Sequence, residues 1–223
     1  MALNLSREAI INLRPPNYIG LPQLVTFSAP ALSWFTVRPA WHITHSTSPR
    51  RSSQRNARIR FELSKDEKSF KITHSHQHAN SLAIESADAV LNPVDVKDGR
   101  AYLFEEEGSG RAWEILAWGK EGQLEDWMID QGDGWIADSS GEVRGDWRNS
   151  YVVVMVSGED EKAEPAVEIW DRFGTLTDGT IEKIRVALGG VNDEKFGLLV
   201  DSLDQIKVDS GRDADDEEAR KHY

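Results

Sequence analysis

Three histidines at alternating positions are the first residues in this chain whose types and spacing could do chemistry. His74, His76 and His78 lie in the run HSHQH, so on a continuous strand their imidazoles share one face. Imidazole nitrogens bind zinc and copper, and an acid such as Glu85 would complete the ligand set. The surrounding stretch is polar on both faces, which also suits solvated histidines on an exposed edge. The pattern therefore predicts either a transition-metal site or an exposed polar strand.

Two carboxylates are the second candidate. Strict alternation in RAWEILAWG (111–119) places Glu114 on the same face as Trp118, and in AVEIWD (166–171) it places Glu168 beside Trp170. Paired carboxylates hydrolyse glycosidic bonds when about 5 Å apart or more widely separated, and aromatic rings can stack on a sugar. The sequence thus allows a catalytic pair, Glu114 and Glu168, with Trp118 and Trp170 as ligand contacts. The alternative is that both acids are solvent-face charges on strands whose other face is core.

Tryptophan is concentrated in the middle of the chain. Six of the eight tryptophans lie between Trp113 and Trp170, which is typical of an aromatic core in a β-protein. Trp127 and Trp135 instead fall in a segment rich in Gly, Asp and Ser, where exposed rings would be candidates for ligand contact. The sequence contains no GxSxG and no GxxxxGK[ST] motif, so it shows neither a nucleophile elbow nor a P-loop.

The elements that would position these residues are short apolar or alternating segments that end in Gly, Asn or Asp. This pattern predicts antiparallel strands joined by tight turns. The predicted strands are RIRFEL (58–63) and SFKITHSH (69–76) as a hairpin, SLAIES (81–86), AYLFEE (101–106), RAWEILAWG (111–119), YVVVMV (151–156), AVEIWD (166–171), TIEKIRVALGG (180–190) and KFGLLVDSLDQIKV (195–208).

Composition narrows the possible classes. The 223 residues include no cysteine, which rules out disulfides and thiolate metal sites, and no apolar window approaches the length of a membrane span. The N-terminus lacks the pattern of a secretory signal, leaving cytoplasmic and organellar locations open. No cofactor is implied.

Charge divides the chain into three parts. Residues 1–61 carry eight arginines and one acid, whereas the whole chain has a net charge of −12. We therefore expect a basic N-terminal extension (1–57), a β-domain (58–208) and an acidic, disordered tail (209–223). The extension could be a transit segment, an arm that contacts phosphate or an acidic partner, or a structured strand region with surface arginines. The acidic body makes nucleic acid an unfavourable partner.

A longer pattern covers residues 58–208. The residues that define this pattern are Asp146, Trp147, Tyr151–Val156, Gly189, Gly190, Phe196, Gly197, Val200, Asp201 and Ile206. This order of elements resembles the concanavalin A-like, laminin-G-type β-sandwich superfamily, which implies an all-β, two-sheet antiparallel jelly-roll sandwich. The strand AWEILAWG is similar to the nucleophile strand of glucanases with that fold. However, FGTLT (173–177) lacks the glutamate of their acid motif.

The resulting hypothesis is a non-catalytic, lectin-like, carbohydrate-binding module that recognises a glycan or a protein surface. Two alternatives remain open: a polysaccharide-cleaving enzyme that uses Glu114 and Glu168, and a structural component of a large assembly in which the basic extension and acidic tail act as docking arms. Sandwich folds host all three functions, so the fold class does not choose among them.

Overall fold

The computed structural model of the chain describes residues 11, 13–17, 29–36, 40–65, 68–97, 99–120, 150–157 and 164–209. Nine strands and three α-helices lie within these ranges. Their bounds are α1 Leu32–Thr36, β1 Trp41–Ser46, β2 Gln54–Leu63, β3 Phe70–His78, β4 Ile84–Val94, β5 Leu103–Glu106, β6 Ala112–Lys120, β7 Ser150–Val156, β8 Ala166–Asp171, α2 Asp178–Gly189, α3 Glu194–Asp201 and β9 Asp204–Gln205, with one 3-10 turn at Pro49–Arg51 between β1 and β2. No helix in these ranges is both long and apolar enough to cross a bilayer.

The strands close into an eight-stranded antiparallel barrel. From β1 to β8 each strand pairs with the next one along the chain, and β1 also pairs with β8 through Ile43 opposite Trp170. On its other edge β1 pairs with β2, where Trp41 lies opposite Ile59. The predicted two-sheet jelly-roll sandwich is therefore wrong. Alternation and turn residues specify antiparallel strands, but they do not specify whether the first strand pairs with the last.

The strand that closes the barrel lies inside the predicted basic extension. All of β1 and the first residues of β2 precede residue 58, and Trp41 and Ile43 are completely buried. The boundary expected at residue 58 thus falls within β2, and this part of residues 1–57 is a structured strand region. Of the predicted acidic tail only Asp209 is described, and it forms an ion pair with Arg55.

Two segments predicted as strands are helices. TIEKIRVALGG lies mostly in α2, whose buried residues Ile181, Ile184 and Leu188 have helical spacing, and KFGLLVD lies in α3. Each helix begins at a side-chain cap: Thr177 accepts a hydrogen bond from the Thr180 amide, and Asp193 accepts one from the Phe196 amide. The strand prediction was wrong because it weighed the apolar content and terminal glycines above this spacing.

Two apolar clusters lie on opposite sides of the barrel wall. The inner cluster is aromatic, and α1 closes one end of it. There the Phe35 ring packs against Phe61, Phe70 and Phe104 at centroid distances of 5.2, 6.2 and 5.8 Å. The outer cluster joins α2 and α3 to the outward-facing side chains of β6, β7 and β8. The helices therefore cover one wall, and the end opposite α1 is not closed by either cluster.

Candidate functional site

A cavity of about 530 Å³ lies at the barrel end opposite α1, and we call it the mouth cavity. It is surrounded by the 3-10 turn and by the ends of β2, β3, β6, β7 and β8. Its lining includes three arginines, two glutamates, a histidine and a tryptophan. These residues are Arg50, Arg51, Arg111, Glu164, Glu168, His74 and Trp113.

Alternation along the strands brings three of these side chains inward. On β3, Phe70 and Ile72 belong to the inner cluster, so His74 follows them on the same face, nearer the mouth. On β6, Trp113 belongs to the same cluster. On β8, Glu168 lies two residues before Trp170 of that cluster and therefore on the same inward face. The barrel interior is therefore apolar near α1 and polar at the mouth.

Two tryptophans share their carboxylate partners with arginines: Trp113, which lines the cavity, and Trp170, which belongs to the inner cluster. The Trp170 Nε1 donates to Glu168 Oε2 at 2.8 Å, while Arg51 Nε donates to Glu168 Oε1 at 3.0 Å. Trp113 Nε1 donates to Glu106 Oε2 at 3.1 Å, and Arg111 forms an ion pair with the same carboxylate. Each buried glutamate is thus satisfied on both oxygens, as buried charges require. Both arginines also line the cavity.

His74 is an uncharged imidazole beside these arginines. Burial, followed by the charges of Arg51 and Arg111, lowers the pKa of His74 to about 4, although Glu168 opposes the shift. Its ring centroid lies 5.2 Å from that of Trp113. Within the described part of the chain, no group accepts from or donates to its Nδ1. At neutral pH the mouth cavity therefore contains a neutral imidazole with one nitrogen that has no protein partner there.

The structure does not bring the two predicted catalytic carboxylates together. Glu114 lies opposite Met155 of the outer cluster, forms an ion pair with Arg14 and accepts two hydrogen bonds from the Asn17 amide, at 3.0 and 3.1 Å. Glu168 lies opposite Val154 of the inner cluster. The two carboxylates therefore occupy opposite faces of the barrel wall, each held by its own arginine.

A register irregularity in β6 places Trp118 on the opposite face of the barrel wall from Glu114. The ladder between β6 and β7 shifts between Ile115 and Ala117, so Trp118 packs on the inner cluster 5.2 Å from the Trp34 ring. Glu114 and Trp118 thus do not share a face. Glu168 and Trp170 do, as expected, but Trp170 is 1% exposed and belongs to the core. Trp127 and Trp135 lie outside the described residues.

The three predicted metal-binding histidines divide into two places. They share one face of β3, as expected, but His74 lines the mouth cavity. His76 and His78 lie further along the strand, next to Glu85 of β4. Arg51 and Arg111 were not singled out from the sequence. Arg51 lies in the polar run SPRRSSQRN (48–56), whose composition is typical of a solvated loop. Arg111 pairs with Glu106 only five positions away, but that contact depends on the pairing of β5 with β6. No spacing rule would have paired Arg51 with Glu168 across 117 positions.

Comparison with known proteins agrees with the closed barrel. No protein-family model and no curated protein matches the sequence. Among solved structures, the chain is similar to the major allergen Per a 4 from cockroaches, with a TM-score of 0.51 and 10% identity over 83% of this chain and 93% of that one. It is also similar to the siderocalin Ex-FABP (TM-score 0.46, 10% identity, 76% of this chain and 92% of that one) and to H1 crustacyanin from the lobster Homarus americanus (0.46, 14%, 91% and 90%).

The fold is therefore a closed eight-stranded antiparallel β-barrel, and the resemblance to the concanavalin A-like superfamily is wrong. The lectin-like and carbohydrate-binding expectations rested on that sandwich together with the loop tryptophans Trp127 and Trp135, and they are not supported. The coarser expectation, a non-catalytic binding module, is compatible with the barrel.

Proposed function

We propose that the protein is a non-catalytic binding module that holds a small amphipathic anion in the mouth cavity. The observation that carries the proposal is an open cavity of about 530 Å³ that combines arginines with apolar lining residues. Small-molecule sites typically measure about 300 to 1,000 Å³ and combine apolar lining with a few polar groups that orient the ligand.

The charges of the lining favour an anion. The described lining residues include three arginines and two glutamates, Glu164 and Glu168. Arg111 is also paired with Glu106, which the lining does not include. A guanidinium binds carboxylate or sulfonate oxygens through charge-assisted hydrogen bonds, which are stronger than neutral ones. Arg51 uses its Nε for Glu168 and its Nη1 for Gln54, at 3.0 and 2.9 Å. A ligand anion would therefore compete with Glu168 for Arg51.

The uncharged residues that line the mouth cavity favour a ligand with a flat apolar part. Val156 and Ala166 are partly exposed and contribute apolar area to the same cavity, while Trp113 is 2% exposed and adds only a small part of its ring. An aromatic ligand placed against Val156 and Ala166 would bury part of that area, and each Å² removed from water contributes about 25 cal/mol. The neutral His74 beside Trp113 offers one donor and one acceptor nitrogen to a ligand hydroxyl or amide. The site thus suits a ligand with an aromatic body and one anionic group.

The test is a fluorescence titration with 8-anilinonaphthalene-1-sulfonate, an aromatic anion. Arg51→Gln should weaken binding about tenfold or more, because a hydrogen bond to a charged group contributes about 1.5 to 3 kcal/mol. Glu168→Gln should strengthen binding, because it removes the carboxylate that competes for Arg51, while the Gln oxygen can still accept from Trp170.

Arg60→Gln is the matched control. It also removes one positive charge, but Arg60 lies in β2, its side chain is 49% exposed and it pairs with Glu62, and neither residue lines the cavity. Its affinity for the probe should equal that of the wild type. If Arg51→Gln and Arg60→Gln bind the probe equally well, the mouth cavity is not the anion site.

A further inference from the structure

We propose that His76, His78 and Glu85 form a zinc-binding site at the rim of the barrel, separate from the mouth cavity; we call these three residues the rim cluster. Each offers one ligand atom, and these atoms all lie within 4.8 Å of one another. His74, which precedes them on the same strand face, is not part of this group because it lines the mouth cavity.

The strand pairing holds the rim cluster in place. His76 and Glu85 lie directly opposite each other in the antiparallel ladder between β3 and β4, and His78 follows two positions along the same face. Both Nε2 atoms converge on one carboxylate: His78 Nε2 lies 3.2 Å from Glu85 Oε1, and His76 Nε2 lies 3.7 Å from Oε2. The two imidazole centroids are 5.4 Å apart. The backbone therefore presents two nitrogens and one carboxylate to a common point.

The donor set matches zinc better than a hard cation. Two imidazoles and one carboxylate are a known three-ligand set for Zn²⁺, with the fourth tetrahedral position left for water. Bonds of about 2.0 to 2.1 Å place neighbouring donors about 3.3 Å apart, so the side chains must draw together slightly. His78 and Glu85 side chains are 52% and 57% exposed, which leaves them room to rotate. Magnesium prefers an all-oxygen octahedron and should not bind here.

The experiment is isothermal titration calorimetry of the untagged, chelator-treated full chain with ZnCl₂. We expect one zinc ion per chain with a micromolar dissociation constant. His78→Gln and Glu85→Gln should each weaken binding at least tenfold. MgCl₂ should give no binding. Because both substituted side chains are about half exposed, the variants should fold, and circular dichroism checks that they do.

His222→Gln is the matched control, since it removes a histidine from the C-terminal part that the structure does not describe. Its zinc affinity should equal that of the wild type. As a second readout, Co²⁺ should give the intense visible absorption of a tetrahedral site in the wild type and lose it in His78→Gln. Absence of zinc binding, or binding that His78→Gln leaves unchanged, would overturn the proposal. So would an equal loss of affinity in His222→Gln.

Discussion

Acidification from pH 7 to pH 5 should destabilise this protein, and replacing His74 should remove part of that effect. The pKa of His74 is lowered from 6.5 to about 4 by burial first and by Arg51 next. The unfolded chain therefore binds a proton at His74 between these two values, while the folded chain does not. The stabilising contribution is fully present above pH 6.5 and is lost as pH falls towards 4.

The magnitude follows from the size of the pKa shift. Each unit of pKa difference corresponds to about 1.4 kcal/mol. The free energy of unfolding therefore falls by about 3 kcal/mol over the whole range between the two pKa values, and by about 2 kcal/mol from pH 7 to pH 5. Solvent in the mouth cavity makes these figures upper limits. The pKa of His45 is also lowered to about 4, by burial and then by Arg185, so the wild type should lose further stability in the same range.

The assay is urea unfolding at pH 7 and pH 5, followed by far-ultraviolet circular dichroism. The loss of unfolding free energy between the two values should be about 2 kcal/mol smaller in His74→Gln than in the wild type. Any cost of the substitution that does not depend on pH cancels in this difference. Ser75→Ala, at the neighbouring position on the opposite face of β3, keeps all the histidines and should show the wild-type loss. If His74→Gln loses as much unfolding free energy between pH 7 and pH 5 as the wild type, the pKa of His74 is not lowered in the folded protein.

Three further predictions concern stability and are measured by urea unfolding at pH 7. Arg172→Met should lower the free energy of unfolding by about 2 kcal/mol or more, because the guanidinium lies 3.5 Å from the centroid of the buried Trp41 ring. An unchanged urea midpoint would contradict this. Arg14→Met should cost about 3 to 5 kcal/mol by leaving Glu114 buried without its cation, and adding Glu114→Gln should restore part of the loss. Gly174→Ala should lower the free energy of unfolding by at least about 1 kcal/mol. Gly174 has a φ of +71°, and an added Cβ would lie 2.7 Å from a side-chain carbon of Val208. Wild-type stability of this variant would show that the strain is absent.

Local patterns in the sequence were sufficient to find most of the barrel wall. Alternation identified the hairpin of β2 and β3, and apolar runs identified β6, β7 and β8, because a strand with one buried face has period two. The closure between β1 and β8 was not predictable in this way. It depends on pairing between residues more than 120 positions apart, such as Ile43 and Trp170, and no local signal encodes that contact.

The candidate site was predictable only where alternation is unbroken. Glu168 and Trp170 share a face, as expected, because β8 is regular. Glu114 and Trp118 do not, because a single register shift in β6 reverses the alternation between them. Arg51 lies in a turn whose composition suggests solvent. Its role at the mouth follows from a tertiary contact with Glu168 and not from its own sequence context.

The most direct test of ligand binding in the mouth cavity is nuclear magnetic resonance of the ¹⁵N-labelled chain titrated with 8-anilinonaphthalene-1-sulfonate. Binding at the mouth predicts that the largest amide shift changes fall near Arg51, His74, Trp113 and Glu168, with little change in α1 at the closed end. Changes confined to α1, or to the outer faces of α2 and α3, would contradict the proposed site.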